Sequence, residues 1–412
     1  MPESESPQVV RDRRSAQRAV EIACLALPSV ALLVADLPDD ARAFRMLWFA
    51  GAAVLGAVLP FLYWGPYRAL GFVPLAAVVW LAAAAHGVYW HEWPGWAHGL
   101  PLGIVAGASA RGRRGKEPWA ETALLGAAVL LGAGVTWVVF VRGRPFEVAE
   151  WFVLLAAVAL VGWSWVRLFR PVFELSLEPL FWLMYRVRWR GPGFADFPRT
   201  GPCLVIANHG CWLDPIFLVK VLPRPITPMM TSGFYDLPVM RRLMVAFGVI
   251  RVPDRALKKE APEVQEAVAA LDRGECVVIF PEGYLQRSAD RELRRFGQGV
   301  WKILKQRPNT PVFAAWIEGG WGSYTSHANG APTKNKRPDF RRAIRVGLSA
   351  GVTVPSEVLD GHLPTRTHLM NLVSGARTHW GLEPLPRFEL PTKAEEAAEP
   401  EEGAPDEGAE TK

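Results

Sequence analysis

One histidine and one aspartate lie five residues apart, with types and spacing suited to acid–base chemistry. His209 and Asp214 belong to residues 205–215, which read Val-Ile-Ala-Asn-His-Gly-Cys-Trp-Leu-Asp-Pro. A carboxylate that accepts the Nδ1 proton of a histidine fixes the tautomer and leaves Nε2 free as a base. Such a base can take a proton from a hydroxyl, which then attacks an activated carbonyl. On this stretch alone, the alternative is that His209 is only a turn residue and Asp214 only a helix cap.

Local signals place this pair where a strand gives way to a helix. The apolar run 203–207 predicts a short buried strand, and the residues after it predict a turn. Asp214-Pro215 is typical of a helix start, with Asp214 as the N-cap and Pro215 at the first helical position. Within one ideal helix, a spacing of five residues would separate the two side chains by about 140°. Across a turn between two elements, we expect them to meet.

Further charged residues follow other predicted strands. Residues 275–280 predict a second buried strand, which places Glu282 at its end, and residues 311–317 and 247–252 predict two more. Proteins of the α/β class carry their chemistry at the carboxyl ends of such strands. Histidine, aspartate, glutamate and arginine at several strand ends suit a polar substrate that bears a phosphate. Arg287 is the candidate phosphate contact, although a run of arginines is also typical of a solvated face.

These motifs resemble those of the glycerolipid acyltransferases, the lysophosphatidate acyltransferase superfamily. Asn208-His209-x4-Asp214 resembles the first motif, Phe280-Pro281-Glu282-Gly283 the third, and Thr310-Pro311-Val312 the fourth. The resemblance covers about residues 180–350. It implies an α/β acyltransferase domain, a mixed sheet flanked by helices.

The resemblance also implies an activity, that of a 1-acylglycerol-3-phosphate acyltransferase-like O-acyltransferase in phospholipid synthesis or remodelling. His209 would be the general base, oriented by Asp214. The hydroxyl of a lysophosphatidate or lysophospholipid would attack a fatty acyl thioester on coenzyme A or acyl carrier protein. Asn208, Glu282 and Gly283 would bind the acceptor. No metal or resident cofactor is implied, since the thioester is a co-substrate.

Two departures from the family pattern affect the arginines. The third motif usually continues Thr-Arg-Ser, but residues 284–288 read Tyr-Leu-Gln-Arg-Ser, which displaces Arg287 by two positions. The arginine that ends the second motif corresponds to either Arg251 or Arg255. Both departures concern the contacts expected for the acceptor phosphate, and therefore the headgroup rather than the reaction.

The cysteines indicate neither a disulfide framework nor a metal site. Cys24, Cys203, Cys211 and Cys276 form no C-x-x-C pair and no zinc spacing, which favours a reducing compartment. Cys211 lies inside the first motif and invites the role of a thioester-forming nucleophile. We predict instead that it is a bystander, because only His209 is placed to lower its pKa.

The N-terminal half is predicted to be a membrane domain. Hydrophobic residues make up 50% of the chain, mean hydropathy is +0.11, and the apolar excess lies in residues 18–170. A membrane helix needs roughly 20 mainly apolar residues. We predict five spans and a sixth segment that either spans or re-enters: 19–35, 46–64, 69–90, 98–110, 118–141 and 149–169.

Charge indicates the orientation and the partners of this domain. Basic clusters before the first span, after the fourth and after the sixth favour the cytoplasmic side. We therefore expect an integral protein of the inner membrane with a cytoplasmic catalytic domain. The chain has 46 Lys and Arg against 40 Asp and Glu. In so apolar a sequence, this basic excess favours membrane lipids over nucleic acid as partners. The spans would be an anchor or lipid-handling platform. Alternatively, the protein is a lipid transporter or flippase whose acyltransferase-like domain only binds lipid.

We accordingly divide the chain into four segments. These are a cytoplasmic segment (1–17), a transmembrane domain of five to six helices (18–170), the acyltransferase domain (171–391) and a disordered acidic tail (392–412). Residues 180–190 indicate either an interfacial segment or an ordinary helix that leads into a strand at 185–190.

Residues 318–327 are glycine-rich and aromatic, compatible with a mobile loop over the site. They resemble the acyltransferase part of bacterial proteins that reacylate lysophospholipids and are fused to transporters. The sequence determines neither headgroup, acyl length nor oligomeric state.

Overall fold

The computed structural model describes residues 51–55, 104, 159, 162, 165–166, 169–253, 261–289, 292–334 and 336–390. The chain divides into two compact units, Met1–Glu178 and Pro179–Lys412. The predicted membrane spans fall almost wholly outside the described residues, and so does the predicted acidic tail. Among the helices that are described, none combines the length and the apolar character needed to cross a bilayer. The spans and the four-segment division remain predictions.

Seven strands form one sheet in the second unit, in the order β1-β7-β6-β2-β5-β3-β4. The strands are β1 (Tyr185–Arg190), β2 (Cys203–Ala207), β3 (Thr227–Thr231), β4 (Ile250–Val252), β5 (Cys276–Ile279), β6 (Val312–Glu318) and β7 (Arg342–Leu348). Neighbouring strands are parallel except β6 and β7, which are antiparallel. The predicted mixed sheet with flanking helices is confirmed.

Helices connect these strands. They are α1 (Phe169–Met184), α2 (Gly193–Asp196), α3 (Asp214–Val221), α4 (Ser232–Tyr235), α5 (Pro238–Ala246), α6 (Pro262–Asp272), α7 (Gly299–Gln306), α8 (Ser356–Leu359) and α9 (His362–Gly375), followed by a 3-10 helix, Ala376–Trp380. The predicted strand at 185–190 is confirmed, and the residues before it are helical as the second alternative required. The predicted strand at 247–252 is shorter than expected, because residues 247–249 still close the end of α5.

The central strand β2 is buried on both faces. Cys203, Val205 and Ala207 pack into one hydrophobic core, while Leu204 and Ile206 pack into the other, and all five are fully buried. Side chains alternate between the faces of a strand, so helices on both sides must cover it. This explains why the sequence shows an unbroken apolar run instead of an alternating pattern.

The sheet order brings three strand ends together. β2 pairs with β5 on one side and with β6 on the other, and all three are parallel. Their carboxyl ends therefore lie at the same edge of the sheet. The loops that begin at Asn208, Phe280 and Gly319 leave from this edge, where the site is built.

Candidate active site

His209 and Asp214 meet across the loop between β2 and α3. His209 Nδ1 lies 3.0 Å from Asp214 Oδ2, and the side chain of His209 is 19% exposed while that of Asp214 is fully buried. A carboxylate can only accept, so Nδ1 carries the proton and Nε2 is the unprotonated nitrogen of the neutral ring. The imidazole also stacks on Phe280, with centroids 4.2 Å apart and an interplanar angle of 23°. The ring is thus held on two sides and remains partly accessible.

The carboxylate of Asp214 organises the whole loop. Its Oδ2 also accepts hydrogen bonds from the backbone amides of Gly210 (2.7 Å) and Cys211 (2.8 Å), and its Oδ1 accepts from Cys211 Sγ (3.2 Å). A buried carboxylate needs such partners, because burying it without them is costly. The predicted N-cap role of Asp214 is wrong. Asp214 is the first residue of α3, Leu213 is the capping residue, and the aspartate oxygens bond the loop before the helix.

Cys211 is bound into this arrangement rather than standing apart from it. Its side chain is fully buried, and burial, followed by the charge of Asp214, raises the pKa of the thiol well above its ordinary value. A nucleophilic cysteine needs a lowered pKa and access to the substrate. This agrees with the prediction that Cys211 is not a nucleophile. The prediction that it is a bystander is wrong, because its thiol donates a hydrogen bond to Asp214.

Asn208 joins the ends of two strands. Its Nδ2 donates to the carbonyl of Ile317 at 3.0 Å, and the amide of Ile317 donates to its Oδ1 at 2.7 Å. These two bonds continue the β2–β6 pairing beyond its last residue pair, Ala207 and Ala315. The side chain is buried and structural. No contact described here tests its predicted part in acceptor binding, which stays a prediction.

Glu282 is a buried brace between two loops. Its Oε1 accepts from the backbone amide of His209 at 2.7 Å, and its Oε2 accepts from the amide of Arg294 at 2.8 Å. Burial raises the pKa of Glu282 to about 8, against the opposing effect of the two amides. Each carboxylate oxygen of Glu282 therefore already accepts a hydrogen bond from a backbone amide. The predicted acceptor contacts of Glu282 and its neighbour Gly283 stay predictions; Gly283 is exposed, with a left-handed φ of 71° that favours glycine.

The predicted phosphate-binding arginines have separate partners. Arg251 is exposed and forms an ion pair with Asp236, with its Nε 2.9 Å from Oδ1, and its guanidinium lowers the pKa of that carboxyl. Arg255 lies outside the described residues. Arg287 Nη1 lies 3.2 Å from His327 Nδ1. The structure thus brings Arg287 to the segment that follows β6.

That segment, residues 319–341, is the part of the site that the sequence analysis resolved least. Arg342 donates from Nε to the carbonyl of Gly319 and from Nη2 to that of Trp321, both at 2.8 Å. Asp339 Oδ2 accepts from Tyr185 Oη at 3.0 Å and from the amide of Tyr324 at 2.9 Å. We call residues 319–341 the β6–β7 loop. Hydrogen bonds hold it at Gly319, Trp321, Tyr324 and Asp339, and the mobility of residues 318–327 stays a prediction.

The β6–β7 loop packs directly against the His209–Asp214 loop. The amide of Trp212 donates to the carbonyl of Thr325 at 3.2 Å, and Cys211 and Ser326 form an isolated β-bridge. A Cβ added to Gly320 would lie 3.1 Å from Asp214 Oδ1. A larger residue at this position would force the loop or the carboxylate to shift by a few tenths of an ångström. The sequence signal for this side of the site was a glycine-rich segment directly after a buried strand.

An imidazole held by a carboxylate, on a loop at the carboxyl edge of an α/β sheet, is the arrangement that a general base for transfer to a hydroxyl requires. Residues 192–318 match the family model described as Acyltransferase. Over these residues the chain therefore carries an acyltransferase-family domain.

Two known proteins are similar to parts of this chain. The 1-acyl-sn-glycerol-3-phosphate acyltransferase of Borreliella burgdorferi is 23% identical over 105 residues, which are 26% of this chain and 42% of that protein. The chain thus spans less than half the length of this curated relative. The crystal structure of the 1-acyl-sn-glycerophosphate (LPA) acyltransferase PlsC from Thermotoga maritima aligns with a TM-score of 0.40 and 17% identity, covering 52% of this chain and 81% of that one.

Proposed function

We propose that this protein transfers a fatty acyl group from an acyl thioester to a hydroxyl of a lysophosphatidate or another lysophospholipid. The observation that carries the proposal is the contact between His209 Nδ1 and Asp214 Oδ2 at 3.0 Å, within the residues that match the acyltransferase family. The name of the Borreliella burgdorferi relative supports a 1-acylglycerol 3-phosphate as the acceptor class.

The reaction proceeds as a direct transfer. Asp214 accepts the Nδ1 proton of His209, and Nε2 takes the proton of the acceptor hydroxyl as its oxygen attacks the thioester carbonyl carbon. The tetrahedral intermediate collapses, the carbon–sulfur bond breaks, and the leaving thiolate receives the proton from His209. General-base help of this kind contributes roughly 10²–10⁴-fold. No acyl-enzyme is required, and the buried, high-pKa thiol of Cys211 is unsuited to forming one.

The domain is proposed to work against a membrane that presents the acceptor. Leu237, Val239 and Val245 are exposed apolar residues at or next to α5, and we call them the α5 surface. Trp212, in the loop that carries His209, is 36% exposed and makes an edge-to-face contact with the exposed ring of Phe234. Exposed apolar patches of this kind mark interaction sites, and membrane lipids are the proposed partner. An inner-membrane protein with a cytoplasmic catalytic domain remains part of this proposal.

The test is an acyl-transfer assay on membranes that contain the full chain. Lysophosphatidate and a panel of other lysophospholipids are offered as acceptors, with acyl-CoA and acyl carrier protein thioesters as donors. We expect product with at least one pair, and a loss of about 10²-fold or more in kcat for His209→Ala. His362→Ala, a matched substitution in α9, controls for expression and handling. Full activity in His209→Ala at normal expression contradicts the assignment of the base.

The same membrane preparation distinguishes the transporter alternative from the proposed enzyme. If the wild-type protein acylates no lysolipid with any thioester donor, yet moves lysolipid across the bilayer of reconstituted vesicles, the acyltransferase-family domain is a lipid-binding module. Acylation without movement leaves the proposed enzyme in place.

A further inference from the structure

Four arginines share one face of the sheet at the end where β1 is the edge strand. Arg186, Arg188 and Arg190 alternate along β1 with residues that pack into a hydrophobic core, so the arginines lie on the opposite face. Arg345 of β7 is the register partner of Arg188 and lies on the same face. All four side chains belong to exposed residues. We call these four residues the arginine surface.

No carboxylate of the described residues neutralises the arginine surface. Among the residues that the structure describes, none of the four arginines forms an ion pair. Glu318 of β6 is the register partner of Arg345, but its Oε2 accepts from Trp316 Nε1 at 2.9 Å. Like charges on facing positions of neighbouring strands are unfavourable. Arg188 and Arg345 would therefore gain from an anion that comes from elsewhere.

Trp380 fixes the position of two of these guanidinium groups. The Cζ of Arg190 lies 4.5 Å from the centroid of the Trp380 ring, and that of Arg345 lies 5.7 Å from it. A guanidinium that stacks on an aromatic face keeps its charge and directs its N–H groups outward in its own plane. The indole Nε1 of Trp380 has no hydrogen-bond partner among the described residues. The polar groups of this surface are therefore donors, which suits a partner that offers carboxylate oxygens.

The chain itself contains a segment of the opposite charge. The predicted acidic tail, residues 392–412, has eight acids and only two lysines. Its acids are Glu395, Glu396, Glu399, Glu401, Glu402, Asp406, Glu407 and Glu410. Charge complementarity therefore makes this tail a candidate occupant of the arginine surface.

The described residues before the tail bring its start close to the arginine surface. Two hydrogen bonds, of 2.9 and 3.0 Å, join the backbone of Phe388 to the side chain of Asn371 in α9. From Asn371, the rest of α9 and the 3-10 helix lead to Trp380, over a rise of at most roughly 16 Å. An extended chain from Phe388 to Glu395 spans up to about 25 Å. Every acid of the tail can therefore reach the arginines beside Trp380.

The direction of β1 favours this occupant over a flat membrane. Because β1 is parallel to β7 and β7 is antiparallel to β6, Arg186 lies toward the edge of the sheet that carries His209 and Arg190 lies away from it. A membrane that meets the proposed site at Trp212 would contact only the Arg186 end of the surface. A polypeptide segment can follow the whole row.

We propose that the arginine surface is the docking site of the acidic tail of the same chain. Carboxylates of the tail accept hydrogen bonds from the exposed guanidinium groups of β1 and β7. Each such exposed pair is weak, so the contact depends on several pairs acting together and is sensitive to salt. The inference does not depend on the proposed acyl transfer.

Zero-length cross-linking of the full-length protein tests the contact. Arg188→Lys and Arg345→Lys keep the charge and supply an amine, which a carbodiimide couples to an adjacent carboxylate with loss of water. We expect both positions to be joined to the acids of residues 395–410, at a yield at least about threefold above that in Arg242→Lys. Arg242, an exposed residue of α5, is the matched control, because α5 lies between β3 and β4 at the other end of the strand order. Equal yields at the three positions overturn the proposal.

Salt and charge removal test whether electrostatic attraction is the cause. The Debye length falls from about 10 Å at ~0.1 M salt to about 3 Å at ~1 M, so we expect chloride to lower the yield in Arg188→Lys to that of the control. Adding Arg186→Gln and Arg190→Gln to Arg188→Lys removes two charges, and we expect the yield to fall about threefold at an unchanged Tm. A yield that neither change lowers contradicts the docking site. The arginines would then only protect an edge strand from pairing with another chain.

Two further comparisons test other occupants of the arginine surface. In a mixture of isotope-labelled and unlabelled protein, we expect cross-links within one copy, and cross-links between copies would make a second copy the source of the acids. In vesicles of phosphatidylcholine, with or without added phosphatidylglycerol, we expect equal yields. Loss of the cross-link in the anionic vesicles alone would show that lipid phosphates occupy the surface, and would overturn the tail as its occupant.

Discussion

At the scale of single residues, the site depends on two buried carboxylates with different tasks. Asp214 binds the imidazole of His209 and, through the amides of Gly210 and Cys211, the backbone that follows it. Glu282 binds the backbone amide of the same histidine from the neighbouring loop. One carboxylate therefore orients the ring and the other holds the chain that carries it. A base must be held within hydrogen-bonding reach of the proton it removes, which both contacts serve.

Substituting Glu282 with glutamine tests its role as a brace. In Glu282→Gln only one side-chain atom can still accept, so one buried amide, that of His209 or Arg294, faces an N–H group. We expect a loss of about 1–3 kcal/mol in the free energy of unfolding and a fall in kcat larger than any rise in the acceptor KM. Steady-state kinetics and urea unfolding measure the two effects. Glu357→Gln, at an exposed glutamate, is the control. A raised acceptor KM with unchanged kcat would instead show that Glu282 binds the acceptor, as the family resemblance implies.

The titration of His327 predicts a pH dependence of stability. Its pKa falls from the ordinary 6.5 to about 4 in the folded protein, so between these values the unfolded chain binds more protons than the folded one. Stability therefore rises with pH across this window, and the contribution of His327 is lost as the pH falls toward 4. In phosphate-free buffer, we expect the Tm difference between pH 4.5 and pH 7 to be smaller in His327→Gln than in the wild-type protein. Identical differences would mean that His327 titrates normally.

At the scale of elements, the site is a contact among three loops rather than the property of one motif. The loop after β2 carries His209, the proposed base, the loop after β5 supplies Glu282, and the β6–β7 loop covers the buried side of Asp214. The three loops are neighbours because β5, β2 and β6 are adjacent parallel strands. The β6–β7 loop belongs to none of the recognised motifs, yet the first motif packs against it as well as against the loop after β5.

Gly320 in the β6–β7 loop allows a test of how closely this loop must approach Asp214. In Gly320→Ala the new Cβ would lie 3.1 Å from Asp214 Oδ1 and 3.5 Å from Cys211 Sγ, so the loop or the carboxylate must shift. Misplacement of a catalytic group by ~1 Å can lower the rate by roughly 10²-fold, and the shift needed here is only a few tenths of an ångström. We therefore expect kcat to fall roughly threefold while the protein stays folded. Gly299→Ala is the matched control, since a Cβ there has no atom within 4 Å. Equal kcat values for the two variants would contradict close packing as the reason for glycine.

At the scale of the whole molecule, the acyltransferase-family unit is a two-sided sheet with its chemistry at one edge. Hydrophobic cores cover both faces, so the central strands are rigidly placed and their carboxyl ends present the site. The α5 surface and the exposed ring of Trp212 provide the apolar area through which this unit is proposed to meet lipid. A lysophospholipid is held in a membrane by its acyl chain, so an enzyme that acts on it benefits from contact with that surface.

The membrane contact predicts a dependence on how the acceptor is presented. Val239 is 81% exposed on α5, and burying a valine in an apolar phase contributes about 1.5–3 kcal/mol. We expect Val239→Glu to lower kcat/KM roughly tenfold for an acceptor embedded in vesicles, and to leave activity unchanged for a short-chain, water-soluble acceptor. Leu390→Glu, at another exposed apolar residue, is the control. An equal loss with both acceptors would mean that the substitution acts on the catalytic site and not on the membrane contact.

The sequence by itself was sufficient to predict the local structure around His209 and Asp214. The apolar run of β2, the turn after it and the proline of α3 are signals within a dozen residues, and they place His209 and Asp214 where the structure has them. The mixed sheet and the acyltransferase-family domain could be predicted because the motifs follow buried strands at recognisable distances. The N-cap prediction for Asp214 failed because an aspartate just before a proline is expected both at a helix cap and as a buried acceptor for loop amides. Only the groups that donate to its oxygens, the amides of Gly210 and Cys211, distinguish the two roles.

The contacts that complete the site were decided by tertiary structure alone. Asn208 bonds Ile317 across 109 residues, Glu282 bonds His209 across 73, and Arg287 meets His327 across 40. No local pattern encodes these partners, because they depend on β5 and β6 flanking β2 in an order that differs from the order of the strands in the chain. Residue types and spacing therefore predicted the contact between His209 and Asp214. The strand order determined that Glu282 holds their loop and that a histidine of the β6–β7 loop stands beside Arg287.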